Sequence, residues 1–181
     1  MSLHIRHAEQ DDAEAVARIY NQGIDDRGAT FETRLRTADQ MRERLRDQAR
    51  FPILVAVDDR VLGWAGLSSY RPRECYAGIA EFSIYLDRAA RGHGVGRQLL
   101  DALIEEAQSH GFWKIVSRVF PFNTASRALC RACGFREVGL YEKHGRLDGR
   151  WTDVVIVERL IPENLTVDHA GGPGESASRE E

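Results

Sequence analysis

The residues from Arg91 to Gly96, Arg-Gly-His-Gly-Val-Gly, have the composition and spacing of an anion-binding turn. Glycines let the backbone approach an anion closely because they carry no Cβ. Free N–H groups at the start of a helix point at such an anion, and the guanidinium groups of Arg91 and Arg97 can pair with phosphate oxygens. The pattern predicts phosphate binding, and the alternative is a glycine-rich turn that only caps a helix.

The neighbouring residues predict the strand and the helix that hold this turn. Residues 81–86 alternate apolar and other side chains, as a strand does. After the turn, apolar residues recur at helical spacing at Val95, Leu99, Leu100, Leu103, Ile104 and Ala107. The turn lacks the Gly-Lys-Ser/Thr of a Walker loop and the Gly-x-Gly-x-x-Gly of a dinucleotide-binding fold, so it indicates a different phosphate site.

The spacing Arg-x-x-Gly-x-Gly before a helix resembles the pyrophosphate loop of the GNAT acetyltransferases, which use acetyl-CoA. A second block, residues 123–135, is similar to the Asn-x-x-Ser…Gly-Phe helix and strand of the same family. Residues 30–32, 70–73, 81–86 and 148–154 resemble the branch that acetylates phosphinothricin, arsinothricin and methionine sulfoximine. The resemblance extends over residues 5–160.

The order of predicted elements indicates an α/β fold with a mixed sheet. Strands are predicted at residues 3–6, 53–57, 61–67, 81–86, 114–119, 135–141 and 151–160, and helices at 13–20, 37–48, after the turn, and at 123–134. Residues 21–31 are expected to form a loop or a broken helix, and residues 145–149 are expected to form the loop that joins the last two strands. The resemblance implies a GNAT-like, mostly antiparallel sheet flanked by helices, in which the parallel strands 81–86 and 114–119 splay apart to admit the pantetheine arm.

The resemblance also assigns residues to acetyl-CoA. Backbone groups of the strand before the turn, the turn itself and the residue that opens the next helix are implied to bind it. These residues are Ile84, Tyr85, Leu86, Arg91, Gly92, His93, Gly94, Val95, Gly96 and Asn123. Asn123 is in addition predicted to cap the helix that follows it.

Acetyl transfer to an amine needs a base, because an aliphatic amine is mostly protonated at neutral pH. Glu81 matches the glutamate that has this role in the resembled branch. The alternative is a carboxylate at a strand start that is solvated or paired with an arginine. Cys130 stands where many GNAT enzymes have a tyrosine that protonates the departing thiolate, and packing is the expected role of this cysteine.

Phe31, Arg71 and Arg73 are the candidate substrate-binding residues. Two arginines around a proline can hold a carboxylate, phosphinate or arsinate by paired hydrogen bonds, and the alternative is ordinary solvated loop charge. Phe31 is expected to wall the pocket or to belong to the core. Asp148 stands where the branch often has a histidine, which leaves the exact specificity open.

The expected function is acetyl-CoA-dependent transfer, in a ternary complex, to the α-amino group of a small amino-acid analogue. Acetylation of proteins or peptides and non-catalytic acyl-CoA sensing are the competing interpretations. A third, a thiol-based metal or redox site, depends on the Cys-x-x-Cys of Cys130 and Cys133 alone, and no metal site is predicted.

Composition sets broader limits. The chain has 181 residues, 43% hydrophobic residues, three cysteines and a net charge of −3. Residues 166–181 are expected to form a disordered acidic tail, which leaves a neutral acetyltransferase domain at residues 1–165. A neutral domain disfavours nucleic acid as the partner, and no signal peptide or membrane span is recognisable. A cytoplasmic enzyme is expected, and the resemblance implies a homodimer.

Overall fold

A computed structural model of the chain describes residues 3–165, and the predicted tail at 166–181 lies outside them. A seven-stranded sheet has the order β1-β2-β3-β4-β5-β7-β6. Its strands are β1 (His4–His7), β2 (Ile53–Val57), β3 (Val61–Ser69), β4 (Ile79–Leu86), β5 (Lys114–Val119), β6 (Arg136–Leu147) and β7 (Arg150–Leu160). The helices of the described part are α1 (Ala13–Asp25), α2 (Ala38–Arg46), α3 (Val95–Ser109) and α4 (Thr124–Ala132). Within residues 3–165, none of them is long and apolar enough to cross a membrane.

The sheet confirms the expected mixed and mostly antiparallel architecture. β4 and β5 run parallel, and the other neighbouring strands are antiparallel. α3 buries Leu99, Leu100 and Leu103 against one face of the sheet. On the other face, α1 and α2 pack against β2 and β3 around the fully buried Trp64. Because side chains alternate along a strand, β4 directs one set of side chains towards α3 and the other towards α1 and α2.

Two boundaries differ from the sequence expectation by more than two residues. α1 continues past residue 20 to Asp25, because Gly23 packs so closely on the ring of Tyr85 that an added Cβ would lie 2.8 Å from it. β6 continues to Leu147, and the connection to β7 is only the turn at Asp148 and Gly149, whose φ angles are +48° and +78°. The predicted loop at 145–149 is therefore wrong, since both strands keep pairing almost to the turn.

The parallel strands β4 and β5 separate after three residue pairs. The last pair is Glu81 with Val116. Beyond it, β4 continues to pair with β3 and β5 with β7, while the Oγ of Ser117 donates to the carbonyl of Phe82 at 3.0 Å. The expected splay is confirmed, and it begins at Glu81.

Candidate active site

A cleft of about 540 Å³ lies between the end of β4, the start of α3 and the start of α4. Eight of the ten residues assigned to acetyl-CoA line it, and they are Ile84, Tyr85, Leu86, Arg91, Gly92, Gly94, Gly96 and Asn123. The fold therefore brings together segments that are far apart in the sequence around one elongated space. A cleft of this size suits a cofactor-sized ligand.

The glycine-rich turn has the backbone geometry of an anion site. Gly92 and Gly94 both have φ of +81°, in the left-handed region that favours glycine, and a Cβ at either position would face open space. Gly94 is the N-cap of α3. Among the described residues, the backbone N–H groups of residues 92–96 donate to no backbone carbonyl. This cradle of free donors at a helix start fits a diphosphate.

His93 and Val95 do not line the cleft. The side chain of His93 is exposed, and Val95, the first residue of α3, is buried in the core. Their side chains thus face away from the space that the glycines border. Each of these two residues can therefore offer its backbone N–H to a ligand, as expected for a cradle made of backbone groups.

Arg91 lines the cleft and is held by two acceptors. Its Nη1 donates to Asp26 Oδ2 at 2.8 Å, and its Nε donates to the carbonyl of Leu86 at 3.3 Å. Arg88 donates to Asp26 Oδ1 at 2.7 Å from Nη2. Hydrogen bonds from Arg88, and then from Arg91, outweigh burial and hold the pKa of Asp26 below its usual value. Asp26 follows α1 directly, in a segment whose sequence has no recognisable motif.

Asn123 is the predicted N-cap of α4, since its Oδ1 accepts the N–H of Ser126 at 3.1 Å. Its Nδ2 donates to the carbonyl of Gly28 at 2.9 Å. The amide therefore joins the segment after α1 to the start of α4, and Gly28, Ser126 and Phe122 all line the cleft. Contact between Asn123 and acetyl-CoA stays a prediction.

A smaller cavity of about 80 Å³ lies where β4 and β5 have separated. Ile84, Tyr85 and Asn123 line it together with the main cleft. Its other walls include Ser83, Ser117, Arg118, Phe120 and Cys130. The two spaces thus share lining residues, and the smaller one lies in the split that begins at Glu81.

Glu81 lies at the last parallel pair, with 24% of its side chain exposed. Its Oε2 accepts a hydrogen bond from Nη2 of Arg118. The carboxylate is thus ion-paired, as the alternative interpretation expected; Glu81 itself lines neither space, and its partner Arg118 lines the smaller cavity. The sequence does not predict a role for Arg118, because β5 also contains Lys114 and Ser117 and no motif marks the arginine.

The side chain of Tyr85 lies away from the split. Its ring stacks on Trp64 at 5.1 Å between centroids and meets Tyr20 edge-on at 4.7 Å. Burial raises the pKa of this phenol well above its usual value, so it stays protonated. The role assigned to Tyr85 therefore belongs to its backbone, as does that of the neighbouring β4 residues.

The three predicted substrate residues do not lie together. Phe31 packs edge-on against Phe120 at 4.9 Å, which places it behind a wall of the smaller cavity. Arg71 and Arg73 lie in the exposed segment between β3 and β4, with Arg71 over the ring of Tyr70. Neither arginine borders the cleft or the cavity. Their role stays a prediction.

Cys130 and Cys133 are buried free thiols. Burial, followed by the charge of Glu137, raises the pKa of Cys130 to about 11. Burial also raises the pKa of Cys133 to about 12. Metal binding and redox exchange need the thiolate, which these pKa values disfavour. Within residues 3–165, no group of three or more histidine, cysteine or acidic side chains is arranged to hold a metal ion.

Comparisons with known proteins agree with this geometry. The Acetyltransferase (GNAT) family profile matches residues 16–135. The L-methionine sulfoximine/L-methionine sulfone acetyltransferase of Pseudomonas paraeruginosa is 36% identical, over 87% of this chain and 94% of its own. The phosphinothricin acetyltransferase of Sinorhizobium meliloti, solved with acetyl-CoA, has 31% identity and a TM-score of 0.82, covering 97% of this chain and 95% of its own.

A ribosomal-protein-alanine N-acetyltransferase from Brucella melitensis is also similar, with 34% identity and a TM-score of 0.84, covering 87% of this chain and 99% of its own. The family match covers more than half of the chain, and it confirms the expected enzyme class with acetyl-CoA as co-substrate. The chain therefore belongs to the GNAT family of acetyltransferases.

Proposed function

We propose that the enzyme acetylates the α-amino group of a small amino-acid analogue of the phosphinothricin, arsinothricin or methionine sulfoximine type. The observation that carries the proposal is the split between β4 and β5. It begins at Glu81, and the smaller cavity lies in it and shares lining residues with the main cleft. The proposal includes direct transfer in a ternary complex, as the family resemblance implies. The names of the relatives support the substrate class.

Glu81 is the proposed general base. Acetyl-CoA supplies the acetyl group as a thioester, so that a C–N bond forms, the C–S bond breaks and CoA leaves as the thiol. The acceptor enters as an ammonium and gives up two protons. Glu81 accepts the first and passes it to solvent, and the second, released when the C–N bond forms, goes to the thiolate. A positioned base of this kind contributes about 10²–10⁴-fold to the rate.

Cys130 is not assigned the proton transfer to the thiolate. Its raised pKa of about 11 keeps it protonated, and its side chain is buried in the core as well as bordering the smaller cavity. A thiol this weakly acidic is a poor donor to another thiolate. Packing at the end of the split remains its proposed role.

Arg71 and Arg73 are proposed to bind the anionic side-chain group of those acceptors that carry one, such as the phosphinate of phosphinothricin. Both are exposed and lie next to the start of β4, on the segment that leads to Glu81. Phe31 is proposed to wall the acceptor pocket through its contact with Phe120. The competing function, acetylation of a protein N-terminus, is favoured by the similarity to the Brucella melitensis enzyme.

A panel of acceptors tests the proposal. Purified enzyme with acetyl-CoA is given phosphinothricin, L-methionine sulfoximine, L-methionine sulfone, the common amino acids and alanine-starting peptides, with CoA release and product mass as readouts. The proposal predicts the highest kcat/KM for the free amino-acid analogues. A clear preference for peptides would move the assignment to protein acetylation, and acetyl-CoA binding without any acetylation would indicate a sensor.

The proposal includes a homodimer, as the family resemblance implies, and a cytoplasmic location, as the sequence analysis expects. Large apolar side chains on β6 and β7 are exposed, among them Val138, Leu140, Tyr141, Trp151 and Leu160. β6 is an edge strand of the sheet, and exposed apolar side chains at such an edge favour contact with another protein surface. Sedimentation velocity at micromolar concentration measures the assembly, and a single monomeric species would contradict this part of the proposal.

A further inference from the structure

Arg118 and Glu81 face each other where β4 and β5 separate. Nη2 of Arg118 donates to Oε2 of Glu81, and the two side chains are 47% and 24% exposed. Arg118 also lines the smaller cavity, whose walls are partly those of the main cleft. A positive and a negative group thus lie side by side at the place where the acetyl group and the amine are proposed to meet.

Each side chain of this pair uses only part of its hydrogen-bonding capacity. A guanidinium carries several N–H donors in a planar fork, and a carboxylate accepts through both oxygens. Among residues 3–165, Arg118 makes no hydrogen bond besides the one to Glu81 Oε2, and Oε1 of Glu81 accepts none. The remaining donors of the half-exposed Arg118 and the remaining acceptor of the less exposed Glu81 therefore belong to neighbouring groups.

A zwitterionic α-amino acid has the complementary arrangement, because its ammonium and carboxylate are attached to the same carbon. The ammonium can donate to Glu81 while the carboxylate accepts from Arg118, so that opposite charges alternate around the four groups. We propose that Arg118 is a specificity-determining residue that binds the α-carboxylate of the acceptor while Glu81 receives its amine. This inference deepens the proposed function and rests on it for the role of Glu81.

Position, and not ion pairing alone, carries the inference. Arg136 pairs with Glu158 on the same sheet, through Nε at 2.9 Å, yet Arg136 lines neither the cleft nor the cavity. Arg71 and Arg73 lie outside both spaces as well, and their proposed ligand is a second anionic group on the acceptor's side chain. Arg118 is the arginine placed to bind the carboxylate next to the reacting amine.

The test compares L-methionine sulfone with its α-carboxamide, in which only the carboxylate is neutralised. A sulfone carries no charge, so Arg71 and Arg73 have no anion to bind in either compound. Arg118→Gln is expected to lower kcat/KM for the acid about tenfold or more, mainly through KM, and for the carboxamide less than twofold. Arg118→Lys should restore part of the loss, and Arg136→Gln should behave as wild type with both compounds.

Calorimetric binding of the same two compounds to the CoA-loaded protein gives a second readout that needs no turnover. Acetyl-CoA titration of each variant verifies that it has folded. Equal losses for acid and carboxamide would show that Arg118 acts only through Glu81, and unchanged kinetics and binding would show that it has no role; either overturns the inference. Arg118-dependent binding of the acid without any acetylation would support the inference and overturn the proposed function.

Discussion

Arg91 donates a hydrogen bond of 2.8 Å from Nη1 to Oδ2 of Asp26, inside the cleft that the glycine-rich turn borders. Arg88 holds the other oxygen of the same carboxylate. Asp26 is thus an anion supplied by the protein itself, next to free backbone donors that suit a diphosphate. A bound phosphate would share Arg91 with Asp26 and would be repelled by its charge.

Asp26→Asn is therefore expected to tighten acetyl-CoA binding. Two unit charges about 4 Å apart in water interact by about 1 kcal/mol, so removal of the repulsion should lower Kd about fivefold. The gain should shrink as salt is raised, because salt screens exposed charges. Calorimetric titration at low and high salt measures both effects, with Asp39→Asn on α2 as the control. Weaker binding by Asp26→Asn would mean that Asp26 acts mainly by orienting Arg91.

The Asp26 carboxylate also makes the stability of the wild-type fold depend on pH. The pKa of Asp26 is lower in the folded protein than in the unfolded chain, mainly through the hydrogen bond from Arg88. The carboxylate therefore stabilises the fold at pH values above its unfolded pKa, about 3.9, and this contribution is lost as the pH falls through the folded pKa. Urea unfolding should show wild type more stable than Asp26→Asn at pH 7 and pH 5, with the gap closing below about pH 4. A gap that persists at low pH would refute this origin.

Gly94 in the glycine-rich turn and Gly111 after α3 provide a matched pair of substitutions. Gly94 has φ of +81° and Gly111 has φ of +78°, and a Cβ at either position would meet open space, but only Gly94 borders the cleft. Gly94→Asp and Gly111→Asp should thus lose similar stability through backbone strain, about 1–2 kcal/mol. Acetyl-CoA at 100 times its Kd should stabilise Gly111→Asp by about 2.7 kcal/mol, as in wild type, and Gly94→Asp much less. Equal ligand-induced shifts in Tm would contradict the assignment of the cradle.

Helix caps and turns were predicted best from the sequence, because a local rule applies to them. The predicted N-cap of Asn123 is confirmed, and it depends on residues close in the chain, as do the capping box of Thr37 and Gln40 and the left-handed Gly134 after α4. The parallel orientation of β4 and β5 was expected, whereas the place of their last pair, at Glu81, was not. Backbone geometry at the turn followed from its glycines.

Features that depend on tertiary contacts were not predictable in this way. The extension of α1 depends on Gly23 fitting against Tyr85, a residue from a distant strand. Asp26 and Arg118 carry no motif, and their importance comes from Arg91 and Glu81, which the fold brings to them. Arg71 and Arg73 show the opposite case, since their pattern indicates an anion site while neither borders the cleft or the cavity.

The cysteines give a prediction about reactivity. Cys75 is exposed, whereas Cys130 and Cys133 are buried and their pKa values are raised to about 11 and about 12. Ellman's reagent at pH 8 should therefore titrate one thiol rapidly in the native protein and all three after denaturation. Cys75→Ser should abolish the rapid phase. Rapid reaction of two thiols in Cys75→Ser would show that the Cys-x-x-Cys is accessible.

The most direct test of the account is the pH–rate profile of Glu81→Gln. This change keeps the size of the side chain and removes the proton acceptor, and Glu137→Gln, which changes an arginine-paired glutamate away from the split, is the control. With L-methionine sulfone, kcat of Glu81→Gln should fall about 10²-fold or more at neutral pH while the Kd for acetyl-CoA is unchanged. The deficit should shrink above pH 9, where free amine becomes abundant. Overlapping profiles of Glu81→Gln and wild type would contradict the assignment of Glu81 as the base.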